Sequence, residues 1–84
     1  MTLLEEVKAR GELPPFAVAR MIREAAEISQ QRLGAEVGVT RMTVARWENG
    51  SRRPRGAHLL AYSRLLRELR EVAIDNPTET NPGA

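Results

Sequence analysis

The stretch "GAEVGVTRMTVARWENGSRRPR", residues 34–55, joins two short helical patterns through a glycine break and ends in a cluster of arginines. The first pattern, "QQRLGAEV" (30–37), sets Leu33 and Val37 four apart, on one face of a helix. Gly38 ends it. Thr40 then supplies an N-cap hydroxyl for a second helix, with Val39 before it as a candidate staple. In "RMTVARWEN" (41–49), Val44 and Trp47 face one way while Arg41, Met42, Ala45 and Arg46 face the other. Gly50 suits the C′ position that closes such a helix, and "SRRPRG" reads as a basic loop.

Upstream, Thr2 with Glu5 three residues on is a capping-box pattern. It predicts a helix over about residues 3–10, closed by Gly11. A helix so short is marginal alone, so Leu3, Leu4 and Val7 are expected to pack on something. Pro14 and Pro15 suit the first turn of the next helix, in which Phe16, Ala19, Ile22 and Ala26 share a face and which ends near Glu27. Ser29 is the N-cap for the helix of residues 30–37. Downstream, nothing interrupts the helical pattern from Ala57 to Ile74. Leu59, Tyr62, Leu66, Leu69 and Ala73 form a heptad-like seam there, with Leu60, Leu65 and Val72 largely outside it. The seam reads either as a partner-facing stripe or as part of one wide core stripe. "DNPTETNPGA" (75–84) is polar, acidic and proline-bearing, the composition of a disordered tail. No strand signal or internal repeat is present, so the fold class is all-α.

Eighty-four residues make one domain, expected over residues 1–74, with a thin stability margin. The absence of cysteine excludes disulfides and thiolate metal sites and fits a cytoplasmic setting. A single histidine, His58, rules out most His-based metal sites, and no cofactor is expected. No apolar stretch approaches a membrane span, and the N-terminus lacks a signal-peptide layout. The net charge of +2 hides a strong asymmetry: residues 41–70 hold eight arginines against only Glu48 and Glu68. Such a block is the footprint expected for a phosphate backbone, although a charge run is also the ordinary composition of a solvated face.

Two short helices joined by a tight glycine turn match the helix-turn-helix unit. With Arg23 six residues before Ser29-Gln30, then Leu33-Gly34, Gly38-Val39-Thr40 and Glu48-Asn49-Gly50, residues 22–54 resemble the Xre family, the Cro/C1-type helix-turn-helix of phage repressors and small bacterial regulators. The resemblance spans roughly residues 16–66. Gly34 replaces the family's usual alanine, a change worth about 1 kcal/mol of helix propensity and suggestive of close backbone packing. The resemblance implies a lambda-repressor-like helical bundle. Here it has an added N-terminal helix, covering surface that the family's fifth helix would cover, and a long last helix.

Further expectations follow from the resemblance. Gln30 corresponds to a glutamine that holds a DNA phosphate and buttresses the recognition helix. Thr40, Arg41, Met42 and Arg46 occupy positions that reach base edges. Arg41 and Arg46 suit bidentate contacts to guanine, while Met42, without a donor, either reads a thymine methyl or fills core space. Thr43, Asn49, Arg52, Arg53 and Arg55 are the expected phosphate contacts. Arg23 and Glu48 correspond to a partly buried salt bridge, which would make Arg23 architecture.

The function implied is a sequence-specific regulator of transcription, a repressor binding double-stranded DNA as a homodimer on a palindromic operator, with no second domain to sense a ligand. The alternative is an antitoxin, with the N-terminal helix and acidic tail as the elements that would bind a toxin. Catalysis is not expected: Glu24 and Glu27 lie one turn apart beside arginines, and no Gly-rich phosphate loop or Cys-His or Ser-His set accompanies them.

Overall fold

Three of the five helices begin at a side-chain hydroxyl. In the computed structural model, which describes residues 1–75, the elements are α1 (Leu3–Glu12), α2 (Phe16–Ala25), α3 (Gln30–Val37), α4 (Arg41–Glu48) and α5 (Gly56–Asp75). No strand occurs among the described residues. Thr2 Oγ1 accepts the Glu5 N–H at 3.1 Å while Glu5 Oε1 accepts the Thr2 N–H at 3.0 Å, the reciprocal capping box. That backbone hydrogen bond also holds the Glu5 carboxyl below its ordinary pKa. Ser29 and Thr40 accept the N–H groups of Arg32 and Thr43 at 3.0 and 3.2 Å and so start α3 and α4. Of the tail expected over residues 75–84, Asp75 is instead the last residue of α5, and residues 76–84 lie outside the described residues.

The corner between α3 and α4 is where the chain is tightest. Gly38 takes a left-handed φ of 94°, and the N–H groups of Gly38 and Val39 both donate to Gly34 O at 2.8 Å. A Cβ on Gly34 would lie 2.6 Å from Val39 O. The missing methyl therefore lets the turn fold back onto its own helix, the close packing that the sequence suggested.

Ala19, Leu33, Val37, Val44, Trp47, Tyr62 and Leu66 form one buried cluster. The Trp47 and Tyr62 rings stack at 4.7 Å between centroids, tilted by 39°. Helix α3 packs chiefly on α4, while α2 and α3 also rest on α5. Along α5, Leu59, Tyr62 and Leu66 are buried, Leu60, Leu65 and Leu69 are half-buried, and Val72 and Ala73 are exposed. The expected seam is thus a wide core stripe for most of its length.

Four sequence expectations are corrected. Gly11 does not end α1: the helix continues to Glu12, and the Leu13 N–H bonds to Ala9 O at 3.0 Å. Leu3, Leu4 and Val7 do not pack inward but are 78%, 77% and 50% exposed, while Ala9 is buried. Helix α1 runs alongside α5 in the same direction, with Met1 beside Gly56 and Glu12 paired to Arg67 at 3.4 Å. That docking selects which face of α1 turns inward. Finally, Phe16 does not join the core; it is half-exposed and its ring lies over Gly50. Pro15 stands at the N-cap position of α2, just outside the helix rather than in its first turn.

Candidate nucleic-acid interface

Helix α4 has eight residues, and its two faces differ sharply. Thr43, Val44, Trp47 and Glu48 turn toward the other helices, with Val44, Trp47 and Glu48 buried and Thr43 half-buried. At about 100° per residue, the remaining sector runs Arg41, Ala45, Met42, Arg46, so the two arginines flank it on either edge. Arg41, Met42 and Arg46 are exposed, and Ala45 is half-buried. Met42 is 53% exposed, which excludes the core-filling alternative. The amino-terminal helix does not cover this edge.

What fixes α4 from below is an ion pair. Arg23 Nε donates to Glu48 Oε2 at 2.6 Å and Arg23 Nη2 to Glu48 Oε1 at 3.0 Å, both residues being buried. The remaining guanidinium nitrogen, Nη1, donates to Ile28 O at 2.7 Å. Gln30 Nε2 adds a bond to Glu48 Oε1 at 3.1 Å, so α2, α3 and α4 meet at one carboxylate. The hydrogen bond to Glu48 pushes the Arg23 pKa above its ordinary value despite the opposing cost of burial. Gln30, half-buried, is thereby tied to α4, with one amide hydrogen and its carbonyl left over.

After α4 the chain turns sharply. Asn49 Oδ1 accepts the Ser51 N–H at 2.9 Å, and Arg46 O receives the N–H groups of Ser51 and Arg52. This closure places Arg52, Arg53 and Arg55 on the surface beside the end of α4 and the start of α5. An open groove of about 1220 Å³ separates this loop from the α1–α2 corner, with Arg46, Arg52, Arg53, Arg55, Phe16 and His58 among its walls. The sequence reading places Phe16 on a core face and gives His58 no site role; the docking of α1 on α5, which no local pattern announces, sets Glu6 and Arg10 among the groove's walls.

Among the described residues, the twelve arginines divide into five that are paired and seven that are not, the unpaired ones being Arg64 and Arg70 on α5 and five on α4 and the loop after it. Arg10, Arg20, Arg23, Arg32 and Arg67 each meet a carboxylate within 4.0 Å. By contrast, Arg41, Arg46, Arg52, Arg53 and Arg55 make no ion pair or side-chain hydrogen bond among the described residues. Thr40 and Thr43 share a hydroxyl–hydroxyl hydrogen bond of 3.1 Å at the start of α4, so Thr43 is oriented by the cap.

A second helix held across a first, with a free basic edge, defines a helix-turn-helix module. A helix-turn-helix family profile matches residues 20–72, and the chain belongs to the Cro/C1-type helix-turn-helix family of DNA-binding regulators. No match was found among curated proteins or among solved structures. The five described helices agree with the all-α class of that family. Among the described residues, no helix is long and apolar enough to cross a membrane.

Proposed function

We propose that the chain is a sequence-specific repressor that lays α4 in the major groove of a two-fold operator in the cytoplasm. Arg41 and Arg46 read guanine edges, with Met42 against a thymine methyl and Thr40 beside them. Gln30, Thr43, Asn49, Arg52, Arg53 and Arg55 hold phosphates and fix the register. Residues 1–74 act as one domain, and occupancy of the operator blocks transcription.

The observation that carries this reading is the division of the arginines. Five guanidinium groups lie exposed and uncompensated on α4 and the loop after it, while carboxylates neutralise most of those elsewhere. Unpaired charge held together at one surface repels itself, and a polyanion relieves that repulsion. Footprinting on genomic DNA, followed by titration of the enriched site at several salt concentrations, tests the reading. Affinity falls steeply with salt while preference for the site persists; loss of that preference would leave only a general polyanion binder. The antitoxin reading draws on one observation, the apolar outer face of α1.

A further inference from the structure

Phe16 is an aromatic ring that the core does not use. A Cβ on Gly50 would lie 2.8, 3.0 and 3.1 Å from Cε1, Cζ and Cδ1 of that ring. A point approaching Cε1 within the ring plane would be much farther from the two neighbouring carbons, so the near-equal distances place it above the plane. The ring therefore rests one face on Gly50, whose missing side chain leaves it room. At 53% exposed, it turns its other face to the surface. The ring lines the open groove between the 51–55 loop and the α1–α2 corner. Arg46, Arg52, Arg53 and Arg55 wall that groove on the side of α4 and its loop, and Arg10 of α1 walls it on the other. Its one carboxylate, Glu6, is taken up by Arg10 at 3.4 Å, an exposed pair one helical turn apart. Such pairs hold weakly, so an incoming anion can displace the carboxylate.

We propose that this groove seats the sugar–phosphate backbone of a duplex beyond the segment read by α4, with Arg10 on a phosphate and the free face of Phe16 against a deoxyribose. The inference rests on the reading that α4 enters the major groove. It deepens that reading with two contacts from residues that precede the family match over 20–72. A row of cations calls for repeated anionic charge, while an apolar ring among them has no use for bare phosphate. A nucleic-acid backbone supplies both in alternation, charged phosphates and, between them, the carbon face of the sugar. Thr43 and Arg46 of α4 border the same groove, so a strand lying along the edge of α4 continues into it. In a duplex the base faces are stacked on one another, which leaves the sugar as the partner for the ring. A single strand would instead offer an unstacked base.

Titration of the full chain with a mixed-sequence duplex tests the contact without assuming an operator. Arg10→Ala should weaken binding and lower the slope of log affinity against log salt by about one. Phe16→Ala should leave that slope unchanged and weaken binding about fivefold at every salt concentration, the effect of leaving about 40 Å² of apolar surface wet. Phe16→Tyr keeps the ring and should bind as the wild type does. Glu6→Gln should tighten binding, because it removes the one negative charge in the groove. Thermal melts, expected to be unchanged because none of these side chains belongs to the buried cluster, separate the effects from unfolding. Should Arg10→Ala or Phe16→Ala unfold, Glu6→Gln decides, and unchanged affinity for the duplex overturns the proposal. Unchanged affinity and slope in both alanine variants, or a Phe16→Ala loss larger on a single strand than on the duplex, would also overturn it. Site preference is scored separately. A preferred site that persists while the alanine variants change nothing sinks the groove contact alone, and the expected changes without any preferred site sink the operator reading alone.

Discussion

The Arg23 guanidinium and the Glu48 carboxylate, 25 residues apart in sequence, meet through two hydrogen bonds of 2.6 and 3.0 Å beneath α4. The pair clamps the last turn of α4 to α2, and through Gln30 to α3. Removing one partner strands a charge in a site from which water is largely excluded. Arg23→Ala or Glu48→Ala should therefore cost about 3–5 kcal/mol, enough to unfold much of a marginal domain. Replacing both with apolar residues should cost less than the sum of the single changes, as read by urea melts in a double-mutant cycle. Unchanged melting of Glu48→Gln would remove the pair from the architecture.

Gly34 provides a contest between local and tertiary preference. Alanine gains about 1 kcal/mol of helix propensity. Its methyl, however, would stand 2.6 Å from Val39 O and push the turn away from α3. Overpacking of this kind costs about 1–3 kcal/mol. Gly34→Ala should lower the melting temperature and disturb the angle between α3 and α4; a higher melting temperature would show that the turn yields freely.

Tyr62 is the only tyrosine, so its ionisation can be followed directly by phenolate absorbance. Burial, with the nearby Glu48 charge adding to it, raises its pKa to about 12. An unfolded chain titrates near 10. The protonated ring is thus the form the fold favours: its stabilisation is complete below about pH 10 and is lost as pH rises toward about 12. Thermal melts in that window should fall with pH, and Tyr62→Phe should flatten the fall. Because the hydroxyl is buried with no hydrogen-bond partner among the described residues, Tyr62→Phe should leave stability at neutral pH unchanged or slightly raised.

Local hydrogen-bond rules made much of this fold legible. Thr2 with Glu5, Ser29, Thr40 and Gly38 act within a few residues of themselves, and the structure uses each where the sequence places it. Val44 and Trp47 were readable as core because a short helix has only one face to bury. What escaped was set by distant docking. The parallel seating of α1 on α5 carries Gly11 into the helix and turns Leu3 and Leu4 outward, against their own hydrophobicity. Phe16, the first residue of α2, lies over Gly50 instead of joining the core, a contact between distant residues that no local pattern announces. The bond from Gln30 to Glu48 spans 18 residues, and only the family resemblance, which has Gln30 buttressing the second helix of the motif, points to it, because no periodicity announces it.

In the proposed complex, Arg41 and Arg46 read bases while Arg52 grips the backbone. Measuring affinity for every single-base variant of the enriched site, with wild type, Arg41→Ala, Arg46→Ala and Arg52→Ala, tests it most directly. The first two substitutions should each cost about 1–3 kcal/mol and erase preference at one base pair per half-site. Arg52→Ala should weaken every site alike and reduce the slope of affinity against salt. Equal losses from all three at every base position would contradict the account.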